Sequence, residues 1–184
     1  MPGRRGVADP QRRERMITAA ERVVIGAGLA GLSHRAVAEE AGVPLGSTTY
    51  YFATLSELRQ AALRRLLENY RAWLHEWAER IGRPPPAKLV GHLTDMVCEG
   101  IAEHRQHIVA EFELSVAALR DPEVAEVATG YSAVTTEVLS AMAGKRAALA
   151  LTAAFNGVHL EALTRPGGLS RRQIASVFRA ILLP

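Results

Sequence analysis

Apolar positions recur at three- and four-residue intervals along almost the whole chain, and the strict alternation of a half-buried strand is nearly absent. The pattern predicts a first helix from about Pro10 to Ile25, with Met16, Ile17, Ala20, Val23 and Val24 on one face and charges between them. Gly26 and Gly28 are expected to end it in left-handed geometry, and Gly31 to loosen the loop that follows. Ser33 is placed to cap a second, short helix, with Leu32 and Val37 spaced as a hydrophobic staple and Gly42 at its left-handed end. Pro44 suits the first turn of a third helix. Thr54-Leu55-Ser56-Glu57 reads as a capping box that opens a fourth. In that helix Leu63, Leu66, Leu67, Tyr70, Trp73, Leu74, Trp77 and Ile81 keep helical spacing. At 1.5 Å per residue, about 25 residues span roughly 40 Å, enough to link two modules.

Gly82-Arg83-Pro84-Pro85-Pro86 stops the fourth helix. Further helices are expected over Lys88 to Ala102 and Arg105 to Arg120, then from the Asp121-Pro122 cap to about Met142, and over Lys145 to Thr164. After Arg165-Pro166-Gly167-Gly168, a second capping box at Ser170-Arg171-Arg172-Gln173 leads a last helix, with Ile174, Val177, Phe178, Ile181 and Leu182 inward. The predicted fold class is all-α with about nine helices. It comprises an N-terminal helix-turn-helix module over residues 1–54 and a larger helical body over 55–184.

With 184 residues and 48% hydrophobic content, the chain has enough material for a sizeable core. A single cysteine, Cys98, excludes an internal disulfide framework and fits a reducing cytoplasm. No apolar run approaches the ~20 residues of a membrane span, so no membrane partner is expected. The N-terminal arginines are not followed by the apolar segment of a signal peptide. The net charge of +3 is modest, but its distribution is not even. Arg4, Arg5, Arg12, Arg13, Arg15 and Arg22 outnumber Asp9, Glu14 and Glu21, a basic arm suited to phosphate contact.

Two motifs compete at the end of the first helix. Gly26-Ala27-Gly28-Leu29-Ala30-Gly31 satisfies G-x-G-x-x-G, which at the start of a helix lets backbone approach a pyrophosphate. That reading makes the chain part of a flavin- or nicotinamide-binding enzyme. It requires a strand before the motif and a second strand ending in an acidic residue about 20 positions on. Val23, Val24 and Ile25 instead continue a helical pattern, and Gly42 is followed by a proline, a glycine and hydroxyl residues. The other motif is Leu32 to Phe52: a short helix, a glycine turn, then a second short helix of small hydroxylated and aromatic residues, the arrangement of a DNA-reading helix-turn-helix.

The segment from about Arg12 to Leu58 resembles the TetR family of transcriptional regulators. The likeness is carried by the Ala41-Gly42-Val43 turn, Gly46-Ser47, the aromatic pair Tyr50-Tyr51, and Phe52 before Glu57-Leu58. It implies a homodimer, a double-stranded DNA operator held by the N-terminal module, and a body that binds a small effector. It also implies DNA-binding roles for Ser33, His34, Arg35, Ser47, Thr48, Thr49, Tyr50 and Tyr51. Ser33 would cap the second helix and meet a phosphate, and Arg35 would reach a base edge, where an arginine pairs bidentately with guanine. Ser47 and Thr48 would open the recognition helix, and the tyrosines would contact phosphates and thymine methyls, with Phe52 packed inside. The chain departs from the family at Thr49, where most members have tyrosine, and at Leu55, where they have a phosphate-gripping lysine, a role that Arg59 could take over.

In the body, Trp73, Trp77, Met96, Phe112, Tyr131, Phe155, Asn156 and His159 are the candidates for an apolar effector pocket with a few polar groups. Glu111, Glu113 and Asn156 offer recognition of a polar or cationic effector. Glu103, His104, His107 and Glu111 straddle an expected helix junction, which spoils a fixed metal geometry, so neither metal nor cofactor is expected. No Ser-His-Asp grouping or lysine-bearing phosphate loop appears in usable context, so catalysis is not expected. The expectation is a cytoplasmic, dimeric, ligand-responsive repressor on a pseudo-palindromic operator. Its last two helices, around Leu149 to Leu163 and Ile174 to Leu182, would pair with their symmetry mates.

Overall fold

The computed structural model describes residues 9–183. Arg4 and Arg5 of the expected basic arm therefore lie outside the described residues. At the start of α1 (Pro10–Gly31), the Asp9 carboxylate accepts the Gln11 N–H at 3.0 Å, and Pro10 occupies a first-turn position that needs no donor.

Helix α1 does not end at Ile25. Helical backbone runs through Gly26, so the expected left-handed geometry there is wrong, and a single residue, Gly28, makes the break with φ 68° and ψ 179°. That region is essentially closed to residues with a Cβ, which is why one glycine suffices. Gly31 answers a different need, since a Cβ there would come within 2.5 Å of the Ala27 methyl. Val23, Val24 and Ile25 are helical, and no strand occurs among the described residues. The glycine motif thus lacks the strand that its phosphate-binding use requires.

Helix α2 (His34–Ala41) starts where the Ser33 hydroxyl accepts the Ala36 N–H at 3.1 Å. It ends at Gly42, whose left-handed φ of 63° lets its N–H reach back to the last carbonyls. Pro44 is the N-cap of α3 (Leu45–Tyr51), just before the first turn, and Phe52 closes that helix. Thr54 caps α4 (Leu55–Ile81) by accepting the Glu57 N–H at 3.1 Å, while the Glu57 carboxylate takes the Ala53 N–H at 2.8 Å.

The chain forms two compact units that divide between Leu66 and Leu67, inside α4. Thr54 punctuates the helix but not the packing: Leu58, Ala61, Ala62 and Leu63 are buried within the N-terminal unit beyond it. Met16, Val24, Val37, Phe52 and Leu58 are among the most deeply buried side chains of that unit's core, and the Arg13 guanidinium lies 5.1 Å from the centre of the Phe52 ring. Exposed ion pairs Arg22–Glu40 and Arg65–Glu14 tie its helices at the surface, where such pairs add little stability.

The C-terminal unit contains the rest of α4 with α5 (Pro86–Glu103), α6 (Arg105–Ala117), α7 (Pro122–Ala143), α8 (Lys145–Thr164) and α9 (Arg171–Leu182). Helix α5 starts two residues before Lys88 because Pro85 and Pro86 supply the cap and first turn. Helix α6 stops at Ala117, short of the expected Arg120, in a turn that Asp121 follows as the cap of α7. Leu74, Trp77, Leu93, Met96, Phe155 and Phe178 form the centre of the core. At Gly130, α7 comes so close to α4 that a Cβ would lie 2.5 Å from Leu67 Cδ2. The Ser170 capping box forms as the sequence predicts. On α9, Ile174 and Phe178, four residues apart, are buried, but Val177 beside them is exposed at the edge of that stripe.

Candidate nucleic-acid interface and ligand site

On the N-terminal unit, the expected DNA-contacting residues separate into outward and inward groups. Arg35, Thr49 and Tyr50 are exposed, Tyr50 at 60% of its full surface, which for a tyrosine in a small helical module needs a reason. Arg35 is held by the Glu39 carboxylate at 3.0 Å, one helical turn away. Ser33 and Ser47 are half-buried; the Ser33 oxygen is engaged as a cap, leaving its proton free to donate. His34 is also half-buried, and its Nδ1 has no hydrogen-bond partner.

Thr48 is not an outward contact. It is fully buried, and its hydroxyl donates to the Leu45 carbonyl at 2.8 Å, a local bond that satisfies a hydroxyl held away from water. Tyr51 is tied inward as well: its hydroxyl accepts the Asp9 N–H at 2.7 Å, and its ring meets Tyr50 edge to face with centres 5.1 Å apart. Phe52 packs in the core at 2% exposure, as expected. Leu55 is exposed and Arg59 half-buried, at the places where the sequence departs from the family pattern. Of the described basic arm, Arg12, Arg13 and Arg15 stand exposed on the first turns of α1.

The C-terminal unit scatters the expected ligand residues. Trp77, Met96 and Phe155 are absorbed into the main core, so for them packing is the observed role. Trp73 points outward at 42% exposure and is not an interior residue. Phe112 and Asn156 are half-buried. His159 is buried; its ring meets Phe155 edge to face, and Nδ1 lies 3.2 Å from the Phe155 carbonyl. Because only an N–H can donate to a carbonyl, the tautomer carries its proton on Nδ1, which leaves Nε2 as a buried acceptor without a partner. Burial pushes its pKa down to about 4, so the ring is neutral.

Tyr131 belongs to a separate cluster. Its ring lies 4.7 Å from that of Tyr70, which in turn lies 5.9 Å from Trp73. The Thr135 hydroxyl donates to the Tyr131 carbonyl at 3.0 Å, so the Tyr70 phenol must donate to Thr135 across their 2.6 Å contact. Tyr70 and Glu111 are the residues that inspection of the sequence leaves unassigned or unoriented. Glu111 is half-buried on α6, three residues from buried Leu114, whereas Glu113 is exposed. Burial raises the Glu111 carboxyl to about 7, and Glu111 in turn raises Tyr70 above the ordinary phenol range, after burial itself. His104 marks the break between α5 and α6 and, like His107, is exposed. A cleft of about 300 Å³ near His75, Glu79, Glu137 and Met142 contains none of the expected ligand residues.

Residues 85–184 match the family described as tetracyclin repressor-like, C-terminal domain, over half of the chain. The chain belongs to the TetR family of transcriptional regulators. Its fold is close to that of the multidrug binding protein EbrR, solved in complex with imidazole, at 39% identity, 96% and 97% coverage of the two chains and a TM-score of 0.77. EbrR has also been solved in complex with ethidium. A TetR-family member from Streptomyces coelicolor A3 (SCO1917) is 38% identical with a TM-score of 0.78, covering 95% of this chain and 100% of that one. The HTH-type transcriptional regulator PksA of Bacillus subtilis (strain 168) is 33% identical over 87 residues, 47% of this chain. The match spans 42% of PksA, less than half its length.

Proposed function

We propose that this TetR-family chain is a cytoplasmic homodimeric repressor that holds a pseudo-palindromic DNA operator and releases it when a small molecule enters its C-terminal unit. The observation that carries the reading is the outward ridge of Arg35, Thr49 and Tyr50 on two short helices joined by a glycine turn, beside exposed arginines on α1. Arg35 is the base-reading residue, Tyr50 contacts a thymine methyl or phosphate, and Ser33 donates its free proton to a phosphate. Thr48 and Tyr51 support the ridge from within.

Arg35 must leave Glu39 to meet DNA. Arg35→Ala is expected to weaken operator binding by about 1–3 kcal/mol and to relax preference at one base pair. Operator selection from genomic fragments followed by titration of single-base variants measures this. An equal loss on every sequence makes Arg35 a phosphate contact instead.

The dimer surface is the outer face of α8 and α9. Leu149 at 70% and Leu160 at 47% exposure line up with exposed Ala153 and Gly157, and Val177 and Leu183 stand outward near the end of the chain. A stripe of apolar and small residues facing solvent suits close packing against a symmetry mate in a four-helix interface. Leu160→Glu is expected to shift the protein from dimer to monomer at micromolar concentration in light scattering. Wild-type monomer under those conditions overturns the arrangement.

Helix α4 contributes residues to both units and is the natural lever for release. Effector and operator then weaken each other's binding by the same factor. A ligand that binds tightly and leaves operator affinity unchanged refutes release by an effector. The aromatic cluster around Tyr70 and Tyr131 is the effector site of this reading, and the ethidium complex of EbrR supports an aromatic ligand.

A further inference from the structure

Exposed apolar side chains gather on one part of the N-terminal unit. Among its described residues, the large hydrophobic side chains that stand exposed are Leu45, Tyr50 and Leu55, on α3 and at the first position of α4. Helix α3 reads Leu-Gly-Ser-Thr-Thr-Tyr-Tyr and carries no charged or amide side chain. It therefore cannot make the paired hydrogen bonds by which arginine reads guanine, or asparagine and glutamine read adenine. Three of its hydroxyls are also engaged within the protein. Thr48 donates to the Leu45 carbonyl, Thr49 donates to the Gly46 carbonyl at 3.3 Å, and the Tyr51 hydroxyl accepts the Asp9 N–H. With its proton committed to the backbone, Thr49 has its methyl left to offer a partner.

Leu45, at 51% exposure, and exposed Thr49 lie one turn apart on the same row of α3, with Gly46 and Tyr50 on the adjacent row. Nothing lies within 4 Å of where a Gly46 Cβ would stand, so the backbone there is bare and a base edge can approach it. The same unit supplies exposed arginines, Arg35 on α2 and Arg12, Arg13 and Arg15 on α1, and the Arg13 guanidinium lies over Phe52, which closes α3. An uncharged apolar strip in a unit rich in exposed cations suits a DNA groove, where phosphates take the cations. The apolar group that the major groove presents is the C5-methyl of thymine. We infer that α3 reads its operator half-site through the 5-methyl groups of pyrimidines, with Leu45 and the Thr49 methyl as the contacts that determine specificity. This rests on the reading of the N-terminal unit as operator-binding, and adds the group on the bases that α3 recognises. Thr49 stands where most members of the family have tyrosine, so its methyl contact belongs to this chain. Recognition extends to 5-methylcytosine, which carries its methyl at the same ring position as thymine.

Binding duplexes are selected with the full chain from a random-sequence pool, and each thymine of the recovered half-site is then replaced singly by deoxyuridine. That change removes one methyl and keeps every base-pairing hydrogen bond. Binding should weaken about three- to fivefold at one or two positions, the effect of one lost methyl contact. With cytosine opposite guanine at those positions, methylation of the cytosine should restore part of the affinity. Thr49→Ser keeps the hydroxyl, removes the methyl, and should bind thymine and uracil duplexes alike at one position. Leu45→Ala should do so at another, and Thr49→Val, which keeps a methyl, should still discriminate. Equal wild-type affinity for thymine and uracil at every position overturns the inference and leaves operator binding in place. A uracil effect of the same size in wild type, Leu45→Ala and Thr49→Ser also overturns it, because the methyl then acts through DNA shape. Recovery of no preferred duplex sinks the operator reading itself, and the inference with it.

Discussion

Phe52→Ala is expected to destabilise the N-terminal unit by about 3–5 kcal/mol, while Tyr50→Ala, two residues away, changes stability by no more than about 0.5 kcal/mol. Phe52 is 2% exposed, closes α3 and carries the Arg13 guanidinium on its face, so truncation leaves a cavity and removes the cation–π contact together. Tyr50 makes one edge-to-face contact with Tyr51 and otherwise faces water. Its loss should instead appear in operator affinity. Urea unfolding of both variants, paired with operator titration, checks the contrast. Comparable destabilisation by the two substitutions contradicts the placement of Tyr50, and unaltered operator binding by Tyr50→Ala removes it from the proposed interface.

The second large effect lies in the pH dependence of stability, where two buried groups oppose each other. Burial raises the Glu111 carboxyl from 4.5 to about 7 in the folded chain. Between those values the folded state binds more protons than the unfolded state, so Glu111 alone makes the protein more stable as pH falls from 7 to 4.5. Burial lowers His159 from 6.5 to about 4, so between those values the unfolded state binds more protons. His159 alone therefore makes the protein less stable as pH falls from 6.5 to 4. Each displacement corresponds to about 3 kcal/mol at full effect, and somewhat less for Glu111, which keeps some contact with solvent. The wild-type protein should thus show a nearly flat contribution from this pair over the shared window.

Single substitutions unmask the opposing halves. Glu111→Gln is expected to raise stability by about 1–3 kcal/mol at pH 8 and then to lose stability on acidification through the His159 range. His159→Leu removes the unpartnered Nε2 and should gain stability as pH falls from 7 to 4.5. Urea midpoints at pH 8, 6 and 4.5 measure both. A Glu111→Gln profile parallel to that of the wild type would show that this carboxylate is not buried as described.

The helices and their caps were legible because they depend on local chemistry. Ser33, Gly42, Thr54, Asp121 and Ser170 punctuate the chain as their side chains and backbone freedom dictate, and the structure places each at a helix terminus. The two short helices after Ser33 rest on the same signals, and so did the choice of a helix-turn-helix over a dinucleotide site. Helix α6 was less legible. Apolar Val109 and Val116 are both exposed, so its sequence shows no single face, and the half-burial of Glu111 has only the three-residue spacing to Leu114 as its signal. Trp73 and Val177 were misplaced for a related reason: an apolar residue beside a buried stripe costs little when half exposed, and many surfaces carry such residues.

Local order, then, follows from residues within a turn or two of each other, and those interactions are written directly in the chain. The roles of Thr48 and Tyr51 are of another kind. Whether a hydroxyl on a seven-residue helix faces DNA or donates to its own backbone depends on how α2 and α3 pack, and Asp9, 42 residues away, decides where the Tyr51 hydroxyl points. The Tyr70 hydroxyl on α4 is likewise directed by a distant partner, because Thr135 on α7 takes its proton. Spacing identifies which residues share a helix face, but only the folded chain determines which donors remain after the long-range bonds are made.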